Sequence, residues 1–129
     1  MSDASFNRIL DPRGHQPRPQ IRLALRPSLA DLRRGPVLFY DNTKLGFCNY
    51  MEVFRRLKNN FIQMGISSFL DFRETVRGKG TQELRDYAAK LAAVKPVAAV
   101  LALGDVGTSP ATAIIGIALE ELGVPCVYI

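Results

Sequence analysis

From Pro36 onward the chain alternates between short continuous apolar runs and stretches whose apolar residues recur with a helical period. PVLFYD (36–41) is apolar up to its final acid, the pattern of a strand buried on both faces. Asn49 and Glu52 stand at the spacing of a capping box. Tyr50, Phe54, Leu57 and Phe61 then mark one helical face, with Arg55, Arg56, Lys58 and Asn59 on the other. Gly65 is placed to supply the left-handed residue that ends this helix. ISSFLDF (66–72) predicts a second strand, less apolar and therefore nearer an edge, and RETVRGKG after it reads as a polar, flexible loop. Thr81 is expected to cap a helix through about Val94, with Leu84, Tyr87, Ala88 and Leu91 facing inward and Pro96 stopping it. VAAVLAL (97–103) is a third, fully buried strand. Ser109 as cap and Pro110 at the first helical position open a helix over ATAIIGIALEEL, Gly123 ends it, and VPCVYI (124–129) is the fourth strand.

Strands and helices in this alternation, joined by right-handed crossovers, predict a flavodoxin-like α/β fold. Its parallel sheet has the order 2-1-3-4, with helices on both faces. Residues 35–129 form this domain, and residues 1–34 are set apart as an extended arm rich in Arg and Pro. The last helix is apolar almost all round, and the chain stops at Ile129 on an apolar strand. Both features predict a second protein chain against this surface, either another copy or a different subunit.

A length of 129 residues suits one domain, and an apolar share of 47% is enough for a core. No apolar run approaches the roughly 20 residues of a membrane-spanning helix. The start, MSDASFNRILDPRG, has no apolar leader segment, so neither membrane nor secretion is expected. Cys48 and Cys126 lack CxxC or Cys/His spacing, which argues against a disulfide framework or a zinc site and for a reducing, cytoplasmic home. The net charge of +5 is lopsided: residues 1–34 hold seven arginines against three aspartates, while the remainder is nearly neutral. Such an arm can contact nucleic acid or strap itself to a protein surface. It has no lysine runs or interleaved aromatics for base stacking, whereas Ile9, Leu10, Ile21, Leu23 and Leu25 offer apolar anchors. The strap is the preferred reading, with nucleic acid not expected.

In a sheet of order 2-1-3-4, ligands bind beyond the carboxyl ends of strands one and three, where the order reverses. The loops meeting there are DNTKLGFCN (41–49) and GDVGTSP (104–110), both polar and glycine-bearing. Gly104 and Gly107 permit a sharp turn and close approach to a ligand, the next helix's free N–H groups attract an anion, and Thr108 and Ser109 add hydroxyls. A small phosphate or carboxylate fits this pattern. So does a plain strand-to-helix turn that Ser109 caps and Asp105 tethers. In the first loop Asp41, Asn42 and Lys44 are the substrate-facing candidates. Lys44 and Asp105 form the expected proton-handling pair, with an Asp41 that bonds only its own loop as the alternative. Arg73, Arg77 and Lys79 could close over an anion or simply lie in solvent. Cys48, near a helix start where a thiol pKa falls, is the minor alternative nucleophile. His15 is the one histidine in the chain, so neither a Ser-His-Asp triad nor a His-based metal site can be built from it, and no cofactor is implied.

ILDPRG (9–14), LALRPSLADLRRGPVLFYDNTK (23–44) and GDVGTSPATAIIGIALEELGVPCVYI (104–129) resemble, in that order, segments of the UGSC-type family of thiol or selenol proteins. These look related to the selenoprotein part of glycine and betaine reductase component B. Asp105, Gly107, Glu120, Gly123, Val124 and Pro125 match the family's pattern, and residues 41–44 match its first loop. Val106 stands at the thiol or selenol slot, Thr108 at the serine slot and Ser109 at the second cysteine slot. Valine is neither a nucleophile nor a redox centre, so the family's thiol chemistry does not carry over. The resemblance implies a retained pocket for a small anionic or carboxylate-bearing substrate in a small subunit of an enzyme assembly. Non-redox acid/base chemistry of a lyase, hydratase or isomerase follows from that, with a non-catalytic scaffold beside a thiol-bearing partner as the alternative.

Overall fold

The computed structural model of the chain describes residues 20–43, 48–104 and 107–129. Its elements are α1 (Leu29–Arg34), β1 (Val37–Asp41), α2 (Tyr50–Gln63), β2 (Phe69–Arg73), α3 (Thr81–Ala93), β3 (Ala98–Leu101), α4 (Ser109–Glu121) and β4 (Cys126–Tyr128). The four strands form one sheet in the order β2-β1-β3-β4, every pair parallel. β1 runs in register with β2 from Val37–Phe69 to Asp41–Arg73, and with β3 from Val37–Ala98 to Tyr40–Leu101. The flavodoxin-like arrangement expected from the sequence is the one the chain adopts.

The alternation of side chains along β1 splits the core into two layers. Leu38 and Tyr40 join Ala99 and Leu101 beneath α3 and α4, where Leu84, Ala88, Leu91, Ile115 and Leu119 are buried. Val37 and Phe39 join Val100 on the opposite face, beneath Phe54 of α2 and the partly buried Leu32 of α1. That second layer is aromatic: Phe39 meets Phe54 edge-on at 5.0 Å and Phe69 at 5.8 Å. α4, apolar around its circumference, packs against both the sheet and α3. Much of its apolar surface is thus covered within the chain.

Several local expectations give way to geometry. Residues Leu29–Arg34 are helical where the sequence reads as extended arm, because Ser28 and Asp31 form a reciprocal capping box. Asn49 does cap α2, but in the left-handed conformation (φ 44°) and without a side-chain bond. Glu52 instead pairs with Arg55 and Arg56. The caps of α3 and α4 fall one residue earlier than expected, on Gly80 and Thr108. The loop after β2 is pinned by the buried Val76 and by the Tyr40 hydroxyl, which donates to the Glu74 carbonyl at 2.8 Å. Gly65 ends α2 with φ +83°, as expected.

Ahead of α1 the described part of the arm is fastened by polar groups, while Leu32 of α1 packs against the sheet. Leu23 and Leu25 are 67% and 93% exposed. What holds the segment is Glu120 at the end of α4, which accepts from the Ala24 N–H at 2.7 Å and pairs with the Arg26 guanidinium. The same carboxylate accepts from the Cys126 N–H at 2.8 Å, while Arg26 donates to the Cys126 carbonyl at 3.4 Å. One ion pair therefore satisfies both backbone groups of Cys126 on the outer side of an edge strand, where another chain would otherwise pair. Ile9 and Leu10 lie outside the described residues.

Two outcomes are expected. A Cβ at Gly116 would come within 2.0 Å of the Tyr128 hydroxyl and 2.8 Å of Leu101. Gly116→Ala is therefore expected to lower stability by about 1–2 kcal/mol in urea denaturation, the overlap outweighing the gain in helix propensity. Burial pushes the Glu120 carboxyl up, but Arg26 and the two N–H donors outweigh it and hold it below its ordinary value. A carboxyl with a depressed folded-state pKa stabilises above its unfolded value, and that stability is lost as pH falls through the folded one. Urea midpoints measured from pH 7 down to pH 3 are expected to decline, and Arg26→Ala to shrink that decline.

Candidate functional site at the rim shared by β1 and β3

β1 and β3 end side by side, with the Ala102 N–H donating to the Tyr40 carbonyl at 3.0 Å, so the loops after them share one rim of the sheet. Asn42 joins them. Its buried Nδ2 donates to the Ala102 carbonyl at 3.0 Å, the Leu103 carbonyl at 2.8 Å and the Thr112 hydroxyl at 3.1 Å. Two hydrogens are thus shared among three acceptors drawn from the β3 loop and α4. Carbonyls at a strand end that have left the ladder need such a donor once buried.

Gly104 completes the joint. It sits at φ +87°, and a Cβ there would lie 2.2 Å from the Thr108 hydroxyl and 3.0 Å from Asn42 Nδ2. Only glycine takes that backbone at that distance. Its N–H donates to the Tyr50 hydroxyl at 2.7 Å, which brings the first turn of α2 to the same rim. The Thr108 and Ser109 hydroxyls each donate to the Leu103 carbonyl at 3.2 Å. With those protons directed inward, an anion at the α4 terminus would be met by backbone N–H groups rather than by these hydroxyls. Thr108 makes no side-chain bond that caps the helix, and Gly107 is exposed on the turn before it.

Asp41 is buried at the end of β1; it accepts from the Thr43 N–H at 2.8 Å and faces Arg73 Nε at 3.4 Å. Lys44 and Asp105, the expected proton-handling pair, lie outside the described residues, as does His15. The structure thus brings together Asn42, Gly104, Thr108 and Ser109, whereas Asp41 lies beside Arg73 in the space between α2 and β2. Lys79 is engaged elsewhere, with Glu74 at 2.9 Å and above the Tyr87 ring. Cys48 is half-buried, and Cys126 is buried in β4, where burial pushes its thiol up to about 12 and keeps it protonated. Among the described residues there is no group of three His, Cys, Asp or Glu side chains able to hold a metal ion. No helix among them is long and apolar enough to cross a membrane.

Two residues escaped the sequence reading. Tyr50 counted only as part of an apolar face, yet a phenol in the first turn after a candidate loop carries its hydroxyl back to that loop. Thr112 is fully buried and was passed over inside an apolar helix, where a lone hydroxyl marks a polar partner. Removing the joint tests its weight. Asn42→Ala leaves the buried Ala102 carbonyl and Thr112 hydroxyl without this donor, and a loss of about 2 kcal/mol is expected in urea denaturation, with faster amide exchange at Gly104. Compared with protein-family models, curated proteins and solved structures, the chain matches none of them significantly.

Proposed function

We propose that this chain is a small subunit of an enzyme assembly and binds a small anionic, carboxylate-bearing substrate at the loops after β1 and β3. The observation that carries the reading is the joining of these two loops by Asn42, at the point where the strand order reverses and an α-helix begins. A rigid rim with glycine-bearing turns and a helix N-terminus favours negative charge. In this reading Lys44 and Asp105, which follow Thr43 and Gly104 in the chain, exchange the proton of a lyase, hydratase or isomerase step. Lys44 supplies the positive charge facing the carboxylate, and Asp41 and Asn42 hold the first loop in place. The resemblance to UGSC-type proteins belongs to the same proposal.

A second reading makes the chain a scaffold beside a partner that bears the catalytic thiol. It draws on Val106 at the thiol position and on Ile21, Leu23 and Leu25, whose side chains are 43%, 67% and 93% exposed along the arm. Apolar side chains aligned in this way mark protein contacts. Titration calorimetry of the purified chain with acetate, malonate, succinate and phosphate tests the first reading. Saturable binding of at least one acid is expected, weakened tenfold or more in Lys44→Ala with the melting temperature unchanged. Binding of none of them, together with co-purification of a thiol-bearing companion, would replace it with the second.

A further inference from the structure

On the opposite side of β1 from β3, the first half of α2 and the β2 edge enclose a groove of about 330 Å³, at the lower end of the range of small-molecule sites. Its apolar wall is Phe39 and Phe54, held edge-to-face at 5.0 Å in the core, with Met51 at the mouth, 70% exposed. Two cations reach it, and they differ in how firmly they are held. Lys58 lies 5.1 Å above the Phe39 ring and donates to both oxygens of Asp71, at 2.5 and 2.7 Å. Arg73 has one ion pair among the described residues, the 3.4 Å approach of its Nε to Asp41, longer than a good hydrogen bond. Its side chain is 60% exposed whereas that of Asp41 is 11% exposed, so the aspartate is fixed and the outer end of the guanidinium is open.

We infer that this groove is a binding site for a monocarboxylate with an apolar, ring-sized body. The body lies against Met51 and the partly buried Phe72, over the core rings of Phe39 and Phe54, and the Arg73 guanidinium, its Nε still beside Asp41, grips the carboxylate with its two terminal nitrogens. The physical case is that Arg73 need give up nothing. Asp41 is buried and engages only the arginine's Nε, so its two exposed terminal nitrogens can make a two-pronged guanidinium–carboxylate contact, which is short and directional. Aromatic walls favour a flat apolar body, and Lys58 with Asp71 closes the far end without presenting an uncompensated charge. Acetate offers the same carboxylate with no body to cover Met51 and Phe72. The groove shares Asp41 with the rim between β1 and β3, but the inference does not depend on the proposed activity there.

Nitrogen–proton correlation NMR of the full chain, titrated with 3-phenylpropionate and separately with acetate, tests this directly. Saturable shifts are expected at Met51, Phe54, Phe72 and Arg73, with 3-phenylpropionate binding at least tenfold tighter than acetate. Arg73→Gln is expected to weaken 3-phenylpropionate tenfold or more. Met51→Glu, which places a negative charge at the exposed mouth without touching the core, is expected to do the same. No saturable shift, shifts confined to other residues, equal binding of the two acids, or full affinity in Arg73→Gln and Met51→Glu would each overturn it.

Discussion

One amide group holds the carboxyl end of this sheet together. Parallel strands release their last carbonyls at a common rim, and those of Ala102 and Leu103 have no ladder partner once β3 ends. Asn42, the first residue beyond β1, supplies the missing donor and extends it to Thr112 in α4. The contact links three elements that lie far apart in sequence, and it forces the neighbouring positions. Gly104 has no room for a side chain beside Asn42 and Thr108, and the Thr108 and Ser109 hydroxyls share the remaining lone pair of the Leu103 carbonyl. The geometry of both loops next to the candidate site follows from satisfying these two carbonyls.

The rest of the molecule distributes its polar groups by the same rule, that a buried backbone group keeps a partner. At the β4 edge the partner comes from side chains, with Glu120 and Arg26 taking up the Cys126 N–H and carbonyl and fixing the arm in passing. At the β2 edge the arrangement is looser. Lys58 and Asp71 are closed upon each other, whereas Asp41 and Arg73 stand 3.4 Å apart across the strand pair. Tight pairing goes with a structural fastening, and the looser pairing through Nε leaves the exposed end of a guanidinium able to engage a further partner.

The two faces of the sheet also differ in kind. Beneath α3 and α4 aliphatic side chains surround Tyr40 and Tyr87, and the packing is close enough that Gly116 must yield space to Tyr128. Beneath α2 it rests on Phe39, Phe54 and Phe69, whose edge-on contacts leave a groove at the rim. Aromatic rings meeting at an angle fill space in large units and leave gaps at their margins, which is where a ligand's apolar body finds room.

Periodicity carried the strand–helix alternation and, with the rules of parallel crossovers, the β2-β1-β3-β4 order that sets the ends of β1 and β3 side by side. Burial on two faces writes itself into continuous apolar runs, and crossover handedness leaves few topologies. The helix at Leu29–Arg34 was legible too, in the Ser28–Asp31 spacing, but it lay hidden in an arm characterised by its arginines and prolines. Only the tertiary structure decided the roles of the polar residues. It engaged Asn42 with β3 and α4, turned the Thr108 hydroxyl inward, drew Tyr50 to Gly104, and fastened the arm through Arg26 while leaving Leu23 and Leu25 exposed. The reason is physical. Apolar burial is non-directional and so shows in the pattern of residues, whereas a hydrogen bond depends on where a distant partner ends up, and no local pattern records that.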